Sequence, residues 1–125
     1  MNKLDVKTIE VNGIEYVRKD SVQKNEAETF EGMKYCIVRT YSAGVFAAYV
    51  QSRDKKEAVI RQARRLWYWD GAASLSQLAV DGVACPEKCK FPCVVDLIEL
   101  TEVIEVITVT EKAKKSIDSV PVWER

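Results

Sequence analysis

The chain has 125 residues, with 19 basic and 19 acidic side chains, a formal net charge of zero and no histidine. Neutrality argues against a general coat for DNA or RNA, because sequence-independent binding rests on neutralising many phosphates with a basic surplus; a local basic patch stays open. The missing histidine removes the commonest general base, metal ligand and neutral-pH switch, which weakens the case for an enzyme without excluding carboxylate, lysine or cysteine chemistry.

This length suits one domain with a core large enough to fold without staples, and leaves room for a short appended element. No apolar run reaches membrane-spanning length, and the opening MNKLDVKTIE has no hydrophobic signal segment. The expectation is a soluble, intracellular protein with its four cysteines reduced.

In chain order, TIEV (8–11) and IEYVR (14–18) flank Asn12-Gly13, the strongest short hairpin signal, because a type I′ turn needs φ > 0 at both central positions. Residues 1–19 are therefore expected to form an appended β-hairpin. Residues 20–32, polar and poor in branched side chains, read as a linker, and 33–125 as the globular domain. YCIVRTYSAGVFAAYV (35–50) reads as two strands joined at Ser42-Ala43-Gly44, with a charged turn over 52–57. AVIRQARRLWYW (58–69) could pass for helix at its start, but its later β-branched and aromatic content favours a strand to Trp69. Asp70 is the expected N-cap of a helix over 72–80, with Leu75, Leu78 and Ala79 at helical spacing and Gly82 as its stop. A Pro- and Cys-containing loop (83–93) follows, then one long or two short strands (94–110) with a bulge or kink, then a short amphipathic helix (111–119).

Three clusters invite chemistry and read more simply as structure. Cys85, Cys89 and Cys93, with Cys36 as a fourth ligand, have spacings permissible for zinc. They lack a CxxC pair, Pro86 and Pro92 stiffen the loop, and Cys36 lies in an apolar run, so loop and core cysteines are expected and no metal. Asp96, Glu99, Glu102 and Glu105 lack the glycine-punctuated loop of a calcium site and read as solvated strand-face carboxylates. Lys112, Lys114 and Lys115 read as a solvated helix face.

RRLWYWDGAASLSQL (64–78) holds more. In a strand, Arg65, Trp67 and Trp69 share one face, and Arg64, Leu66 and Tyr68 the other. Both faces then carry an arginine beside aromatics and both need cover. Aromatic planes with guanidinium groups suit a nucleotide-like ligand, stacking its base and forking onto its phosphate. Arg39 and Tyr41 supply a second arginine–aromatic pair, and Ser74 with the helix start adds hydrogen bonds. The candidate ligand residues are thus Arg39, Tyr41, Arg64, Arg65, Trp67, Tyr68, Trp69 and Ser74. The same residue types are favoured at subunit interfaces and in cores, and the two readings meet if the pocket lies between subunits.

Through YCIVRTYSAGVFAAYV, ARRLWYWDGAASLSQLAVDGV, CKFPC, ELTEVIEVI, TEKAKKSI and PVW, over roughly 33–123, the sequence resembles a family of small phage and prophage proteins grouped as a domain of unknown function; VNGIEYVRKDSV also resembles the start of such proteins. The resemblance implies a phage protein made in a bacterial cytoplasm and names no reaction. By analogy of setting and size alone, small non-catalytic phage proteins include sponges for nucleotide-derived immune signals such as cyclic oligonucleotides and cyclic ADP-ribose isomers.

The expected fold is α+β: a small, strongly bent, mainly antiparallel sheet or barrel with one central helix and a short C-terminal helix. The expected function is a non-enzymatic, homo-oligomeric anti-defence protein that sequesters a nucleotide-derived signal without a cofactor or membrane. A module binding a host or phage protein through the same aromatic patch is the alternative, and a nucleic-acid-binding regulator stands behind it, disfavoured by the zero net charge.

Overall fold

The computed structural model describes residues 25–124. The expected hairpin over 1–19 lies outside the described residues. The strands are β1 (Lys34–Thr40), β2 (Val45–Asp54), β3 (Glu57–Arg65), β4 (Val94–Leu100) and β5 (Val103–Thr108); the helices are α1 (Leu75–Asp81) and α2 (Glu111–Asp118), with a 3-10 turn at Pro86–Lys88 between α1 and β4. The strands form one antiparallel sheet in the order β4-β3-β2-β1-β5. The class is α+β as expected, and the sheet stays open.

Consecutive strands β4 and β5 lie at opposite edges of this sheet. In a flat five-stranded sheet those edges would stand roughly 19 Å apart, whereas the three steps from Leu100 to Val103 reach at most about 11 Å. The sheet must therefore curl until its edges approach at this end. There the Val103 N–H donates to the Lys56 carbonyl at 2.8 Å, and the Tyr41 N–H to that of Glu102 at 2.9 Å. Register shifts between Arg39 and Thr40, and in the β2–β3 ladder, accommodate the bend. The kink expected in 94–110 is this break at Thr101–Glu102, and the acidic series along it is exposed.

Alternation divides the apolar residues into two cores. Tyr35, Ile37, Ala47 and Tyr49 face the helices and pack with Leu78, Phe91, Ala113 and Ile117. Cys36, Val38, Phe46, Ala48, Ala58 and Ile60 take the other face with Leu100 and Val103, and are buried by the sheet's own curl. The helices are joined by backbone and side chain. The Thr110 N–H donates to the Ala79 carbonyl at 3.0 Å, and the Ser116 hydroxyl bridges Val83, accepting from its N–H at 2.9 Å and donating to its carbonyl at 3.1 Å.

Residues 25–32, within the stretch expected to be a linker, lie with Met33 against this body. Ala27 is buried, its N–H donates to the Val109 carbonyl at 3.0 Å, and Phe30 and Met33 exchange two backbone bonds.

Two expected boundaries are corrected. β3 ends at Arg65, four residues before Trp69. Its partner β2 begins at Val45, whose carbonyl takes the Leu66 N–H at 2.8 Å, so no ladder remains for the next residues. The Trp67 and Tyr68 N–H groups turn instead to the Lys90 carbonyl. The central helix begins at Leu75 and is capped by Ser74, not Asp70: the Ser74 hydroxyl accepts the Gln77 N–H, while the Gln77 side chain accepts that of Ala73. The Asp70 N–H is engaged by the Cys89 sulfur at 3.4 Å.

Candidate aromatic groove

A bulge sorts the two adjacent arginines. Tyr49 pairs with Arg61 but Ala47 pairs with Arg64, so β3 carries one extra residue there, and Gln62 takes φ 50° to fit it. Arg64 and Arg65 then leave the strand on opposite faces. Arg64 turns toward the helices and is buried. Its Nε donates to the Pro92 carbonyl at 3.0 Å, its Nη1 to Ile117 at 3.1 Å, and its Nη2 to Phe91 at 3.2 Å and Val120 at 2.7 Å. Burial pushes its pKa down, with Tyr35 and Asp118 opposing. This guanidinium fastens the loop before β4 and the end of α2 to the sheet.

Arg65 is exposed, and its guanidinium lies over the Phe46 ring, 4.5 Å from the centroid. Among the described residues no carboxylate pairs with it. Arg65, Leu66, Trp67 and Trp69 form one wall of a groove of about 300 Å³, and the Ser42–Val45 turn forms the other. Thr40 shapes that turn: its hydroxyl donates to the Gly44 carbonyl at 2.7 Å and accepts the Ala43 N–H at 2.9 Å. Trp67 is 65% exposed, whereas Trp69 packs partly into the helix-side core. Tyr41, next to the turn, is 77% exposed. At the rim the Ser42 hydroxyl donates to Glu102 at 3.1 Å.

The structure thus gathers Arg65, Trp67 and Trp69 around one groove beside Tyr41, and separates the other sequence candidates. Arg39 is tied to Glu105 at 2.9 Å. Arg64 lies on the helix side, with four of its N–H groups on carbonyls, away from the groove. Tyr68 faces the Lys90 ammonium, 5.9 Å from its ring centroid, and the same ammonium stands 5.7 Å from the Trp123 ring. Ser74 caps α1. Arg65, Trp67 and Trp69 share one side as alternation predicted, although strand pairing ends near Arg65 and Trp69 also packs into the helix-side core.

Sequence reading also passed over a second cluster. Lys114, expected on a solvated face, has a side chain only 21% exposed, and its ammonium lies 4.9 Å from the Tyr35 ring and 5.9 Å from that of Tyr49. The two rings pack edge to face at 4.9 Å. A usable signal was present: a hairpin centred on Ser42 sets Tyr35 opposite Tyr49, the register observed. The cysteines are all free thiols, and among the described residues no group of three potential ligands is placed to hold a metal ion. Burial pushes the Cys36 and Cys89 thiols up. No described helix is long and apolar enough to cross a membrane.

No curated protein and no solved structure matches the chain significantly. A family model described as a domain of unknown function, DUF6948, matches residues 33–117, from the start of the sheet almost to the end of α2. The match covers both arginines, the aromatic groove and nearly all of both cores, and the chain belongs to this DUF6948 family.

Proposed function

We infer that the domain binds a nucleotide-derived signal in the groove between the Ser42–Val45 turn and Trp67, holding it without cleavage. In the phage setting suggested by the resemblance, such binding lowers the free concentration of a host immune signal. The observation that carries this reading is Arg65. Its guanidinium has no carboxylate partner among the described residues, lies over the Phe46 ring 4.5 Å from its centroid, and stands beside an exposed and a half-buried indole. A planar base stacks on indole, and a phosphate accepts two parallel bonds from a guanidinium.

With Arg39 engaged by Glu105 and Arg64 by four carbonyls, one guanidinium per chain serves the groove. The ligand therefore presents one phosphate per groove, and a ligand with two calls for two chains, in keeping with a homo-oligomer. The exposed aromatics Tyr41, Trp67, Tyr68 and Trp123 favour one second reading, a surface that binds a protein.

A thermal-shift panel of cyclic dinucleotides and ADP-ribose isomers tests the first. Stabilisation by one ligand, lost in Arg65→Ala and Trp67→Ala, with the ligand recovered intact after denaturation, is the expected result. No shift with any member at millimolar concentration, or recovery of a cleaved product, refutes it.

A further inference from the structure

A second cavity, of about 240 Å³, lies between α2 and the bulged part of the sheet, lined by Tyr35, Tyr49, Gln62, Arg64, Lys114 and Asp118 with Val94. Two unspent donors belong to residues of this lining. Tyr35 is 95% buried, and its hydroxyl makes no hydrogen bond among the described residues, although buried phenols ordinarily find a partner. Arg64 has five N–H groups and uses four of them on carbonyls, which leaves one Nη1 donor with no acceptor among the described residues.

The charges add to these donors. Lys114 and Arg64 are cationic and Asp118 is the single anion of the lining, so the cavity carries one net positive charge. Lys114 donates to Asp118 at 2.6 Å, which fixes the ammonium at the cavity while leaving it further N–H groups. Asp118 is half-exposed and stands as an acceptor at the edge. A cation is disfavoured by the two resident ones. A water molecule meets the donors without answering the charge.

We propose that this cavity binds a small oxyanion, a carboxylate or phosphate group, through the Tyr35 hydroxyl, the free Nη1 donor of Arg64 and the Lys114 ammonium. Charge-assisted bonds of this kind are about twice as strong as neutral ones, and the site is separate from the aromatic groove. The bound anion also joins α2 to β3 beside the bulge, so occupancy stiffens the C-terminal part of the domain.

The full-length protein is titrated with acetate, and separately with inorganic phosphate, at ionic strength fixed with chloride, while amide NMR shifts are followed. Saturating shifts at Tyr35, Gln62, Lys114 and Asp118 are expected, weakened at least about tenfold in Lys114→Met and Tyr35→Phe and unchanged in Trp67→Ala. Tyr35→Phe removes only an unpaired hydroxyl and keeps the fold, so loss of binding there reports on the site. A response to acetate alone assigns a carboxylate ligand, and a response to phosphate alone a phosphate ligand. Shifts no different from those with chloride, or saturation that Tyr35→Phe and Lys114→Met leave intact, overturn the proposal.

Discussion

Replacing Arg64 by methionine tests how the C-terminal part of the domain is held. The side chain of methionine fills similar space but donates nothing to the carbonyls of Phe91, Pro92, Ile117 and Val120. Hydrogen bonds to a charged group contribute about 1.5–3 kcal/mol each, so the four together are worth roughly 6–12 kcal/mol before the arginine's own desolvation is set against them. That penalty is several kcal/mol for a buried ion, and the methionine variant escapes it. The cation–π contact with Phe91 at 5.5 Å adds about 1 kcal/mol to the loss. The net expectation is a destabilisation of about 3 kcal/mol, or a fall in Tm of about 10 °C for a domain of this size. Lysine at the same position, with three donors and no fork, recovers only part of it. Urea unfolding gives the magnitude and amide hydrogen exchange gives the place: protection falls first over residues 117–123. A Met variant within 1 kcal/mol of the parent, or one whose exchange rises evenly over the sheet, would show that the four carbonyls do not depend on this guanidinium and refute the reasoning.

Gly82→Ala is expected to cost at least about 3 kcal/mol, because a Cβ there would stand 2.3 Å from the Ser116 Cβ in a left-handed backbone. Gly32→Ala, at the same φ of 81° with open space around it, should cost only about 1 kcal/mol; equal midpoints for the two variants in thermal unfolding would contradict the packing of α1 on α2. Trp67→Ala, at an exposed position outside both cores, should leave stability within about 0.5 kcal/mol of the parent, and a larger loss in urea unfolding would mean that the groove is part of the core. Burial raises the Cys36, Cys89 and Tyr35 pKa values in the folded state, so the folded chain holds these protons more tightly than the unfolded one. Stability from them is complete below the unfolded thiol value, near 8.5, and is lost as pH rises through the folded values. Urea midpoints measured under reducing conditions should therefore fall from pH 8 to pH 10, and a flat or rising profile would sink this account.

The sequence determined the elements whose signals are local. The Ser42-Ala43-Gly44 turn between β-rich runs, the charged turn before Glu57, the break in 94–110 and the C-terminal helix are each legible from residues within a few positions of one another. The α+β class followed from them. The groove was half legible: Arg65, Trp67 and Trp69 stand out by composition and by their shared side, but alternation alone could not tell the directions that the two arginines take.

Tertiary structure decided those directions. The bulge at Gln62 shifts the pleat by one residue, so Arg64 is spent on carbonyls from segments 27 to 56 positions away while Arg65 is left to the groove. β3 stops where its neighbour β2 begins, a limit set by the partner strand and not by the aromatics that would have favoured a longer one. Lys114 looks like a surface lysine in EKAKKSID, and only the packing of α2 over the β1–β2 hairpin brings it to Tyr35 and Tyr49. Turns and helix caps are written in adjacent residues, whereas the partner of a buried charge is chosen by the whole chain's path.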